Sequence, residues 1–160
     1  MPEIINNQRK IRFEMKPLEN FVKTLGLKVI ETKEKDFAVA FISDRKMRQF
    51  NKQFRGKNST TDVLSFPYEA DEFESETDAF TREDASDDLA PEGVTHAFLG
   101  DIVISAEQAE RQARENGLTL ENEIKQLILH GLLHLCSYDH ETDNGEMNAR
   151  ELELRENLGI

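Results

Sequence analysis

The run from Leu120 to Leu135 is apolar on almost every side, with Leu120, Ile124, Leu127, Ile128, Leu129, Leu132, Leu133 and Leu135 spread around the helical wheel. A helix of that kind has no face to offer water, so other elements have to enclose it, and the chain is expected to fold around it. Yet the same helix carries His130 and His134. Residues four apart project from one side of a helix, about one turn apart. Each neutral imidazole brings a donor and an acceptor, and both cost free energy if they are buried without partners. A single buried histidine can be met by an ordinary core hydrogen bond. Here His140 follows six residues later, so three of the four histidines in the chain fall within eleven consecutive residues. The interval from His134 to His140 lets the chain leave the helix, turn and bring a third imidazole back. Three such nitrogens can hold one metal ion and leave a fourth position for water, which is the pattern of a catalytic metal site. Cys136 lies about 200° round the helix from His134 and is expected to pack as a small hydrophobe. His96 reads as an ordinary loop residue.

The rest of the chain supplies the elements that enclose this helix. Residues 4–8 suit a first strand. Residues 14–25 place Leu18, Phe21, Val22 and Leu25 at helical spacing, with Gly26 as a stop. Residues 36–43 are a short apolar run suited to a buried strand. Asp44 reads as the N-cap of a helix that packs through Met47, Phe50 and Phe54, with basic residues over its other faces. Residues 61–66 are strand-like and closed by Pro67, and residues 98–105 read as another buried strand. A polar helix then ends near Asn116 and Gly117, and Thr119 or Glu121 opens the apolar helix. Residues 137–141 make a turn, and Asp143 with Glu146 forms a capping box for a last helix that ends at Gly159. The expectation is an α+β fold. It is read as a single domain over residues 1–160, with a mixed sheet of about four strands, about five helices, and the metal site on the buried helix near residues 120–136.

The net charge of −12 argues at first against a nucleic-acid partner. The charge is unevenly placed. Residues 69–92 hold eleven acidic residues and one basic residue, Arg82, so the other 136 residues carry a net of only −2. Residues 69–95 therefore read as an acidic loop insertion, poor in aliphatic residues. Arg45, Lys46, Arg48, Lys52, Arg55 and Lys57 fall in one stretch with no acidic residue among them. No signal peptide is visible, and no apolar stretch approaches the roughly 20 residues needed to span a bilayer. The single cysteine fits a reducing cytoplasm.

The histidine spacing i, i+4, i+10 matches that of metzincin proteases, which place a glutamate directly after the first histidine as general base. That residue here is Gly131, so a zinc peptidase is disfavoured. His130-Gly-Leu-Leu-His134-Leu-Cys-Ser-Tyr138-Asp139-His140 instead resembles the signature of the YbeY family, bacterial endoribonucleases of ribosomal RNA maturation. Two further segments agree: Asn51-Lys-Gln-Phe-Arg55-Gly56-Lys57 followed by Thr61-Asp-Val-Leu-Ser-Phe-Pro67, and Leu99-Gly-Asp-Ile-Val-Ile-Ser105. Ser137 stands where the family usually has glycine, and the acidic insertion is a second departure.

The resemblance implies one divalent ion per chain, zinc, held by His130, His134 and His140. Such an ion can polarise a phosphoryl oxygen and lower the pKa of bound water. It implies that Arg55 is catalytic, holding the scissile phosphate. Asp139 then either orients a histidine ligand, the favoured role, or accepts a proton. Arg45, Lys46, Arg48, Lys52 and Lys57 would contact the RNA backbone. The implied activity is cleavage of single-stranded RNA in ribosomal RNA precursors, covering maturation of the 16S rRNA 3′ end and ribosome quality control. Its partners would be RNA and the ribosome or ribosomal proteins, in the cytoplasm and away from membranes. The alternative is an assembly factor that binds ribosomal particles without catalysis and holds a structural metal.

Overall fold

Enclosure of the apolar helix sets the architecture. The computed structural model describes residues 2–68, 98–139 and 141–160. The acidic insertion at 69–95, His96 and His140 lie outside the described residues. The elements run β1 (Glu3–Asn6), α1 (Met15–Lys28), a 3₁₀ turn (Ile30–Thr32), β2 (Asp36–Ile42), α2 (Asp44–Arg55), β3 (Val63–Pro67), β4 (Phe98–Ser105), α3 (Ala106–Asn116), α4 (Leu120–Leu135) and α5 (Glu146–Leu158). The strands form one mixed sheet in the order β1-β2-β4-β3. β1, β2 and β4 are parallel, and β3 runs antiparallel to β4 at the edge. The described residues thus form an α+β arrangement of four strands and five α-helices, and no helix among them is long and apolar enough to cross a membrane.

Side chains alternate along a strand, so the two faces of the sheet carry different cores. On one face Phe37, Val39, Phe41, Ile102 and Ile104 pack with Ile124, Ile128, Leu132 and Leu133 of α4, together with residues of α1 and α5. On the other face Ile42, Leu64 and Val103 meet Met47 of α2, with Phe50 and Phe66 packed beside them. α4 is therefore covered by the sheet and by its neighbouring helices, as an all-apolar helix requires.

Several boundaries differ from the sequence expectation. α1 runs past Gly26 to Lys28, because a lone glycine in a packed helix is a cost of about 1 kcal/mol and not a stop. Ser43, not Asp44, caps α2, its hydroxyl accepting from Lys46 N–H at 3.2 Å. Asp44 is turned to a different task. Its carboxylate accepts from Thr60 Oγ1 at 3.0 Å and from Ser105 Oγ, and it pairs with Arg111. Partial burial would raise this carboxyl, but those three donors hold it below the ordinary carboxylate range. One side chain thereby ties the start of α2 to the segment before β3, to the end of β4 and to α3. Gly145 caps α5, while Asp143 accepts from Gly145 N–H and Met147 N–H and Glu146 accepts from Asn144 N–H. The anticipated pair still closes the helix start, two residues out of the expected register.

The approach of α4 to the sheet is set by Gly131. A Cβ at this position would lie 2.7 Å from Ile102 Cγ2 and 3.2 Å from Ser65 Oγ, and Ser65 Oγ donates to the Gly131 carbonyl at 3.0 Å. The helix backbone thus rests directly on β4 and β3. Gly131→Ala gains helix propensity but has to displace a stiff β-branched side chain in a filled core. It is expected to lower stability by about 1–3 kcal/mol net, read as a fall in the urea midpoint at constant m-value. An unchanged midpoint would mean that the contact is slack.

Candidate active site

His130 and His134 sit on the last two turns of α4, half-buried, with their rings edge to face at 4.7 Å between centroids. Their Nε2 atoms converge at 3.2 Å. The outer ring nitrogens decide what this convergence means. His134 Nδ1 lies 3.1 Å from the Tyr138 carbonyl oxygen, which can only accept, so Nδ1 carries the proton. His130 Nδ1 lies 2.8 Å from Glu151 Oε1. Glu151 is 7% exposed. Burial alone would raise its carboxyl, but the hydrogen bond to His130, with Arg155 beside it, holds it below the ordinary range. That carboxylate also requires a donor, so the proton of His130 sits on Nδ1. In this tautomer both rings, when neutral, present Nε2 lone pairs to one point. Two nitrogens bound at about 2.0–2.1 Å to one tetrahedral zinc ion lie roughly 3.3–3.4 Å apart. The pair fits a shared divalent cation in both tautomer and spacing.

The turn after α4 supplies the Tyr138 carbonyl. Tyr138 N–H bonds the Leu133 carbonyl and Ser137 N–H bonds the His134 carbonyl, the two bonds of a Schellman ending, with Ser137 at the left-handed position, φ +75°. The departure from glycine is thus accommodated in the conformation that glycine prefers. Tyr138 is fixed from beyond the helix as well. Its hydroxyl donates to Glu31 at 3.4 Å, and Glu31 takes two bonds from Arg150 of α5, at 2.7 and 3.3 Å. Cys136 is half-buried against the main core, where burial pushes its thiol up to about 11. This agrees with its reading as a small hydrophobe.

His130 and His134 open onto a cleft of about 870 Å³ that passes round the outer edge of β3. Arg55, Lys57 and Phe54 line it from the α2 side, residues 61–67 run along it, and Tyr138, Asp139 and Glu141 complete the histidine side. Arg55 ends α2, and Gly56, at φ +68°, lets the chain turn there and leaves Arg55 and Lys57 exposed. Arg45, Lys46, Arg48 and Lys52 are also exposed, but they lie outside the cleft lining. Arg45, Arg48, Lys52 and Arg55 fall within about 80° of the α2 circumference, so they form a stripe that leads to the cleft. Lys46 lies off this stripe, over the Phe50 ring at 5.7 Å.

Asp139 is exposed and accepts from Glu141 N–H at 3.0 Å; among the described residues it makes no bond to His130 or His134. Glu151 and the Tyr138 carbonyl orient those two rings. Neither was among the sequence candidates. The available signal was Glu151 itself, a carboxylate within the buried stripe Met147, Glu151, Leu154 of α5.

The family model for Endoribonuclease YbeY matches residues 3–159. A protein named Endoribonuclease YbeY from Thermodesulfovibrio yellowstonii is 34% identical over 96% of this chain and 92% of its own length. Another of that name from Aquifex aeolicus is 39% identical over 91% and 82%. The solution structure of TM1509 from Thermotoga maritima superposes with a TM-score of 0.54 at 28% identity, covering 96% of this chain and 85% of that one. The fold is thus shared with a solved structure, and the family that the chain matches is one of nucleases. The chain belongs to the YbeY endoribonuclease family.

The Schellman ending gives the site its own test. A non-glycine residue in the left-handed region costs roughly 1–2 kcal/mol, partly offset by the greater unfolded-state freedom of glycine. Ser137→Gly is expected to raise stability by about 1 kcal/mol in equilibrium denaturation. A loss of stability would show that the serine hydroxyl contributes more than the backbone strain costs.

Proposed function

We propose that this protein is a metal-dependent endoribonuclease that cuts single-stranded RNA, with ribosomal RNA precursors as substrate. The observation that carries this reading is a single cleft lined by both His130/His134 and Arg55/Lys57. The names of the relatives support the reaction class. On this reading the protein works in the cytoplasm, in ribosomal RNA processing that includes the 16S rRNA 3′ end, and in ribosome quality control, with ribosomal particles as partners.

The ion is proposed to be zinc, one per chain, held by His130, His134 and His140. It would supply Lewis-acid chemistry, drawing electron density from a phosphoryl oxygen. The remaining work belongs to side chains. Glu151 and the Tyr138 carbonyl keep the two imidazoles in the tautomer that presents Nε2. Arg55 offers a planar pair of donors to the scissile phosphate and offsets the charge that grows on its oxygens. Lys57 sits on a neighbouring phosphate, and Arg45, Arg48 and Lys52 carry the strand along α2, with Lys46 at the margin. Asp139 has one carboxylate oxygen engaged, by Glu141 N–H, and takes the proton released by the nucleophile. The peptidase reading has no base to offer, and the approach of Ile102 to Gly131 leaves no room for one at that position.

Arg55→Ala should lower cleavage of a single-stranded ribosomal RNA fragment by at least about 10²-fold, with metal content by elemental analysis unchanged. Cleavage at the parent rate would remove Arg55 from the mechanism. Glu151→Gln should weaken zinc binding roughly 10- to 100-fold in competition with a chelating dye. Parent affinity in that variant would deny Glu151 its orienting role.

A further inference from the structure

The apolar stripe of α2 is not buried along its whole length. Met47 is fully covered, whereas Phe54, one residue before the helix ends, is 55% exposed. The sequence places Phe54 among the packing residues, and the structure leaves it largely in the cleft. Its ring is nevertheless held from two sides. Phe50 stacks against it at 5.8 Å and 18°, and Phe66 of β3 meets it edge-on at 5.1 Å and 68°. An aromatic ring fixed in orientation, more than half open, and next in sequence to a cleft-lining arginine serves the core poorly but makes a good platform for another flat ring.

We infer that Phe54 is a base-stacking subsite, on which an unpaired nucleobase of the RNA lies while Arg55 and Lys57 hold the adjoining phosphates; the inference rests on the proposed endoribonuclease reading. The neighbouring cations select the occupant. A free apolar ligand would not need them, and an acidic peptide would not need the ring. Every base has a π-face, so such a platform is tolerant of sequence. In a duplex the bases are already stacked on each other and paired, so the platform gains nothing from one. Phe54 is thereby a determinant of preference for single strands, separate from the groups that act on the phosphate. Phe50 and Phe66 are positioning residues, because they set the plane of the ring.

The test measures the affinity of a labelled single-stranded oligoribonucleotide, of the same oligomer with its bases removed, and of the corresponding duplex, by fluorescence anisotropy. The parent protein should bind the intact single strand most tightly. Phe54→Leu, which keeps an apolar side chain at an exposed position, should weaken intact single-strand binding by about 5- to 150-fold, the range for loss of one stacked base. Binding of the abasic strand and of the duplex should stay at the parent values, and Phe54→Tyr should restore the parent pattern. Equal weakening on all three ligands, or no weakening on any, overturns the subsite. Parent-level affinity in Phe54→Leu with RNA cleavage intact overturns the subsite alone. A parent protein that neither binds nor cuts single-stranded RNA overturns both the subsite and the endoribonuclease reading.

Discussion

Contact between the backbone of α4 and the sheet governs the position of everything chemical in this molecule. At Gly131 nothing separates helix from strand except Ile102 and the Ser65 hydroxyl, which bonds the Gly131 carbonyl. That closeness fixes the helix in height and rotation, because packed interiors tolerate displacements of less than a methyl group. The residues on either side of Gly131 in the helix ladder bury leucines. His130 and His134 are left on the sector of α4 that looks past the sheet edge. A bulkier residue at 131 would lift the helix and carry both imidazoles with it.

The cleft exists because β3 is an edge strand of the described sheet. α4 packs on one face of the sheet and α2 on the other, and their side chains meet only by reaching round that edge. Paired imidazoles come from one face; a guanidinium, an ammonium and an open phenyl ring come from the other. The tie from Asp44 to Thr60, Ser105 and Arg111 fixes α2 against β4 and so fixes the second wall.

Much of this architecture was legible in the chain. The all-apolar helix demanded enclosure, the short β-branched runs supplied the strands, and the i, i+4 spacing put two histidines side by side on the buried helix. Local rules failed where tertiary contacts outweighed them. Gly26 did not end α1, because packing sustains the helix through one poor residue. Asp44 gave up the cap to Ser43 in favour of three long-range donors. Phe54 had helical periodicity on its side, but only Phe66 of the edge strand and Phe50 meet its ring, so the stripe emerges into the cleft. The expected acidic insertion, single-domain span and third histidine stand on the sequence.

The amino-acid sequence by itself determined the class of fold, the family and the pair of histidines, since these follow from periodicity and residue type over short stretches. It also placed a serine where the helix ending calls for a left-handed residue. Only the tertiary structure decided how those imidazoles are used. Their tautomers are set by a carboxylate on α5 and a carbonyl beyond the Schellman turn. Glu151 is 21 positions from His130, and Arg55 is 75. No local pattern encodes a pairing at that distance, because it depends on which faces the packing of α4 against the sheet leaves open.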